Sequence, residues 1–214
     1  MASPDYTQEA LSGEGHQAKQ ATRVRALGLV KQSSFLWSRD HQALTCDWVE
    51  LAGARAPTLQ YLLEEQVLRP DLPARFIGVD HDEDVIRGCR ELFGDDGPAS
   101  WHQGGLAPAL RREDAFPRAG VLVYDSHRSV KGDRTTLKEI DRLARFAEHQ
   151  CSKLNEFMLV LNVSAHPRDV SEQDVEDYLR ALSTAVGFEV PLESLHRYVS
   201  KHVPMLWTAL TWGF

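Results

Sequence analysis

The spacing of apolar residues changes along this chain, and the changes predict its elements. From Gln17 to about Gln32, Ala21, Val24, Leu27 and Val30 recur at helical spacing, with Lys19, Arg23 and Arg25 between them. That pattern predicts an amphipathic helix packing on the rest of the molecule. Ser33-Ser34 breaks it. Phe35, Leu36 and Trp37 then read as an apolar anchor, and Arg39-Asp40-His41 as a polar lead into the first strand. From there the chain alternates. A strand is expected over 47–52 and a helix over 57–68, with Pro57 in its first turn. A second strand falls over 74–80 and a helix over 82–93, opened by Asp82, Glu83 and Asp84, where acids suit the helix dipole. A short strand over 99–103 follows a turn. Residues 120–125 and 157–163 are almost unbroken apolar runs of the buried parallel type. A helix over 135–150 lies between them. Ser171-Glu172-Gln173-Asp174 resembles a capping box. It opens a stripe of Val175, Tyr178, Leu179, Leu182 and Val186 that Gly187 stops. Two β-like runs, Ser194 to Ser200 and Met205 to Trp212, close the chain as an antiparallel pair.

Alternating strands and helices followed by a hairpin predict an α/β fold with three layers and a mostly parallel sheet. We expect a disordered tail over 1–15, a helical cap over 16–46 and a single Rossmann-like domain over 47–214. In such sheets the ligand crevice lies at the carboxyl ends of the strands.

Composition narrows the class. The chain has 214 residues, 43% hydrophobic and 26% charged, ordinary for a globular protein. No run approaches the ~20 apolar residues of a membrane span. Met1 to Gly15 lacks a basic-then-apolar signal pattern. Three scattered cysteines suit a reducing setting, so a cytoplasmic location is expected. The net charge of −7 disfavours nucleic acid as a partner. It leaves room for a local basic patch, with Arg111-Arg112 and Arg128, Lys131 and Arg134 as candidates.

Candidate chemistry gathers on the predicted carboxyl edge. Asp80 ends the second strand, where an acid can accept from a ribose diol or merely sit near a helix N-terminus. Glu50 lies inside an apolar strand, so it needs a partner; Arg55, a ligand amine or the Lys31 region would serve. Gly53 supplies a tight turn between strand and helix. Asp125 ends the strand over 120–125 and either orients a substrate or caps the next segment. His127 follows it as a candidate general base, since a free imidazole titrates near neutrality, or as a loop histidine with no role. His81, His102, His127 and His166, with Asp80, Asp82 and Asp125, fall along the same edge. Such groups can bind a transition metal, but no HxH or HExxH spacing supports one and no metal site is assigned.

The order of elements resembles the class I S-adenosylmethionine-dependent methyltransferases, whose seven-stranded sheet ends in an antiparallel strand. Phe76-Ile77-Gly78-Val79-Asp80-His81-Asp82 is similar to that family's second strand and ribose-binding acid. Glu50-Leu51-Ala52-Gly53-Ala54-Arg55-Ala56 stands where the family has an acid and a turn with three spaced glycines; only Gly53 is clearly present. Asp125-Ser126-His127-Arg128 stands where amino-methylating members carry a Pro-Pro-aromatic tetrapeptide, and only the acid matches. The end of the strand over 157–163, Asn162 to His166, carries no lysine, so the lysine-rich tetrad of ribose 2′-O-methyltransferases is not completed; Lys31 and Asp125 stand as candidates for two of its members. The resemblance implies S-adenosylmethionine as cofactor, bound through Glu50, Gly53 and Asp80 with His81 beside them. It implies Asp125 and His127 as catalytic residues toward an acceptor it does not identify. A pseudo-methyltransferase serving as a binding or assembly module is the alternative, since Arg55 is bulky and cationic at the cofactor turn. A metal-dependent hydrolase built on the histidine edge is the third.

Overall fold

The computed structural model describes residues 14–95, 97–112, 115–130, 134–165, 170–200 and 203–213. The expected tail lies largely outside them, as do Lys131 and His166. Helix α1 (Glu14–Val30) is followed by a small antiparallel pair, β1 (Trp37–Ser38) and β2 (Ala43–Leu44). Then come β3 (Asp47–Leu51), α2 (Pro57–Glu64), β4 (Phe76–Asp80), α3 (Glu83–Phe93), β5 (Ala99–Gln103) and the four-residue α4 (Leu106–Ala109). The second half runs β6 (Ala119–Ser129), α5 (Arg134–Leu154), β7 (Glu156–Ser164), α6 (Glu172–Val186), β8 (His196–Ser200) and β9 (Val203–Gly213).

Seven strands form one sheet in the order β5-β4-β3-β6-β7-β9-β8. β3 pairs in parallel with β4 and β6, β4 with β5, and β6 with β7. β9 runs antiparallel between β7 and β8. The strand order reverses between β3 and β6, which puts a crevice at their carboxyl ends.

Strand alternation divides the buried residues between two faces. Val49, Leu122 and Leu159 point into one core with α5 and α6. Trp48, Val121 and Met158, their neighbours in sequence, point into the other with α1, α2 and α3. Ser171 caps α6, accepting from Asp174 N, and Asp174 returns the bond to Ser171 N, completing the expected box.

Local expectations change. The helix expected over 57–68 ends at Glu64. On α1 the buried residues are Ala26, Leu27 and Val30, whereas Ala21 and Val24 are exposed. Phe35 is exposed too, and only Leu36 and Trp37 anchor the segment. The Arg39-Asp40-His41 stretch is the turn of the β1–β2 hairpin. Finally, β6 continues past residue 125 to Ser129, pairing Asp125 with Asn162 and Ser126 with Val163. Asp125 therefore sits within a strand instead of ending it, and Arg128 of the candidate basic patch lies in the same strand.

Candidate functional site

The site begins with β3. Trp48 and Glu50 share a face of the strand, two residues apart. Trp48 Nε1 donates to Glu50 Oε2 at 3.0 Å, and Thr58 Oγ1, from α2, donates to Glu50 Oε1 at 2.8 Å. Thr58 in turn accepts from Arg23 Nε at 2.8 Å. The partner of Glu50 is thus Arg23 of α1, reached through a threonine hydroxyl. Neither Arg55 nor Lys31 fills that role. Arg55 is exposed, and Lys31 pairs with Glu65 at 3.5 Å beside the ring of Trp37.

Burial raises the Glu50 carboxyl above its ordinary pKa, against the pull of Arg23, Trp48 and Thr58. Burial also lowers that of the Arg23 guanidinium, opposed by Glu50, Asp125 and Tyr198. Two opposite charges share one poorly solvated space, and each stabilises the charged form of the other.

The turn after β3 keeps a glycine-like path almost without glycine. Gly53, Arg55 and Ala56 all have positive φ, at 58°, 64° and 42°. Ala52 and Ala56 are buried, and their small side chains leave the loop room beside α2. Asp80, at the end of β4, reaches across to this turn: its Oδ2 accepts from Gly53 N at 3.3 Å and its Oδ1 from Asp82 N at 3.0 Å. The Asp80 side chain is 13% exposed, while neighbouring His81 is 88% exposed, 3.4 Å away.

Asp125 of β6 faces the same space. Its Oδ2 lies 3.3 Å from Lys19 Nζ, with the side chains 20% and 39% exposed respectively. Asn162 of β7 is buried beside it and accepts from Tyr198 OH of β8 at 3.2 Å. Burial, and then the Asp125 charge, raise the Tyr198 phenol above its ordinary pKa, with Arg23 opposing.

A cavity of ≈ 300 Å³ opens among these groups, at the lower end of the size of small-molecule sites. Glu50, Gly53, Asp80, His81 and Asp125 all border it, and Arg55 does not. Lys19, Thr22, Arg23 and Ala26 border it from above. Their spacing of three, four and seven puts them on one face of α1. That periodicity was the available signal for a crevice wall, but two cations in a surface-like helix suggested a solvated side. The side chain of His127 lies outside the described residues. His102 stacks edge-on against Phe116, with ring centroids 5.5 Å apart. Among the described residues no three His, Cys, Asp or Glu side chains are grouped to hold a metal ion.

No family model matches the chain, and no curated protein matches it in sequence. Solved structures do resemble it. The CurJ carbon methyltransferase aligns over 88% of this chain and 53% of its own, with TM-score 0.52 and 9% identity. WbdD aligns over 97% of this chain and 42% of its own, with TM-score 0.50 and 17% identity. The N-methyltransferase NodS from Bradyrhizobium japonicum WM9 aligns over 94% of this chain and 100% of its own, with TM-score 0.49 and 12% identity. This chain therefore spans about half of the CurJ chain and less than half of WbdD. With its parallel order β5-β4-β3-β6-β7 and antiparallel β9, the chain has the class I methyltransferase fold.

Proposed function

We propose that the chain is an S-adenosylmethionine-dependent methyltransferase. The observation that carries this reading is the charge layout of the cavity. Glu50 and Arg23 both border it, joined through the Thr58 hydroxyl, a match for the ammonium and carboxylate of an amino-acid moiety. Asp80 stands at the next strand end, with an acceptor edge suited to a ribose diol. Arg23 Nη2 makes no hydrogen bond among the described residues, since Nε goes to Thr58 and Nη1 to Gln20. The donor set thus fits the cofactor. Bound there, S-adenosylmethionine supplies a methyl group on a sulfonium. The chain's own part is to hold the amino-acid end with Arg23 and Glu50, to hold the ribose with Asp80 and the Gly53 turn, and to orient the acceptor at Asp125. Holding the two reactants in line supplies most of the rate. Three free, buried cysteines fit the expected reducing, cytoplasmic setting.

Calorimetric titration with S-adenosylmethionine and with S-adenosylhomocysteine tests the reading. Saturable heat with both is expected. Folded protein that gives no heat at millimolar ligand rules it out.

A second reading, a binding module without transfer, is favoured by one contact: Lys19 already occupies the Asp125 carboxylate. It predicts cofactor binding with no methyl product on any acceptor.

A further inference from the structure

Lys19 has a second interpretation. Its ammonium does not lie on the outer surface of α1 but borders the cavity that holds Glu50, Gly53, Asp80 and Asp125. It is 3.3 Å from Asp125 Oδ2, and the Asp125 strand β6 is separated by β3 from the Asp80 strand β4. Stability does not explain that placement, because a half-exposed lysine–carboxylate pair contributes little. The weak pairing also leaves the amine free to exchange its proton and its partner. Lys31 is the internal contrast: it is similarly exposed and similarly paired, at 3.5 Å from Glu65, but it does not border the cavity.

We propose that Lys19 is a methyl acceptor, so that the chain methylates its own N-terminal helix and the mouth beside Asp125 takes primary amines. This rests on the cofactor reading above. The step balances with S-adenosylmethionine as the only co-reactant. Nζ first gives up a proton, through Asp125 to water. Its lone pair then forms the N–C bond to the sulfonium methyl. The C–S bond breaks with its electron pair left on sulfur, releasing S-adenosylhomocysteine. Methyl-lysine keeps its positive charge, so the pair with Asp125 survives the reaction. An amine attacks only as the free base, so transfer quickens toward alkaline pH.

The full chain is incubated with S-adenosylmethionine at neutral pH and at about pH 9, digested and weighed by mass spectrometry. Expected is a gain of one or more methylene units on the Lys19 peptide and none on Lys31. The rate should not depend on protein concentration, and Lys19→Arg should abolish the gain. Calorimetry on the same sample separates the two readings. Cofactor bound with Lys19 unmodified overturns this proposal alone; no binding overturns both. A rate that rises with protein concentration overturns the intramolecular step. A binding measurement adds a readout independent of turnover. An ammonium near the sulfonium repels it, so Lys19→Gln should shift the Kd ratio of S-adenosylmethionine to S-adenosylhomocysteine about threefold toward the methylated form. An unchanged ratio would put Lys19 too far from the methyl group and overturn the proposal.

Discussion

At the scale of single residues, Arg23 and Glu50 decide how the crevice treats charge. Arg23→Ala leaves Glu50 without its counter-charge and removes the cation proposed to hold the ligand carboxylate. Affinity for S-adenosylmethionine should fall about tenfold or more, the worth of a charged hydrogen bond. Decarboxylated S-adenosylmethionine should lose much less. Titration of both ligands against both proteins checks this, and an equal loss for the two would remove Arg23 from carboxylate recognition. Glu50 has a pH signature. Its carboxyl is raised above the ordinary value chiefly by burial. The folded chain therefore keeps that proton to higher pH than the unfolded chain does. From the unfolded value of about 4.3 up to the raised folded one, the folded state binds more protons, so stability falls as pH rises. The Glu50 contribution is fully present below the unfolded value and lost above the folded one. Glu50→Gln removes the titration. Urea melts from about pH 4 to neutrality should show the variant gaining on the wild type as pH increases.

At the scale of elements, the turn between β3 and α2 and the start of α6 make opposite predictions. Arg55 is exposed and holds φ of 64°. Arg55→Gly should relieve that strain and stabilise the fold by about 0.5–1 kcal/mol, net of the glycine's extra freedom in the unfolded chain. Ser171→Ala removes the α6 cap and should cost about 1 kcal/mol. Thermal or urea melts distinguish the two signs. These elements also mark what the sequence carried. The strands from β3 to β9 follow from apolar or β-like runs and their turns, and even the five-residue β5 falls where its pattern predicts. The α6 cap is legible because its chemistry is local. Glu50, Gly53, Asp80 and His81 border the cavity because position near a strand end follows from topology, while Asp125 borders it from within β6. Lys19 and Arg23 were hidden for the complementary reason. What α1 faces is fixed by tertiary packing, and its buried stripe of Ala26, Leu27 and Val30 is too short to orient it from sequence. The extension of β6 past Asp125 was hidden too. Ser126-His127-Arg128-Ser129 is polar, and its strand pairing with Val163 and Ser164 comes from β7.

At the scale of the whole molecule, the sheet and α1 act together on the crevice. β3, β4, β6 and β7 provide the acids and the amide, while the wall with both cations comes from outside the sheet. A ligand that bridges the two ties α1 to the sheet. S-adenosylhomocysteine at a hundredfold excess over its Kd should add about 2.7 kcal/mol of stability. For a chain of this size that is about 5–10 °C in Tm. Differential scanning with and without the ligand measures it. Hydrogen exchange should slow at α1 as well as in the β3–α2 turn; protection confined to the sheet would mean the helix takes no part in binding. Among the described residues no helix is long and apolar enough to cross a membrane.

The run of left-handed residues after β3 has a consequence for affinity itself. A turn built from three glycines is supple before folding and remains easily deformed afterwards. Here two of the three positive-φ positions, Arg55 and Ala56, carry side chains. They resist that conformation, yet once the packing of Ala56 and the bond from Gln60 to the Arg55 carbonyl hold them there, few alternatives are open. The cradle is stiff before any ligand arrives. It gives up strain energy during folding and in return loses little entropy on binding. Such a loop favours one ligand shape and tolerates few substitutes.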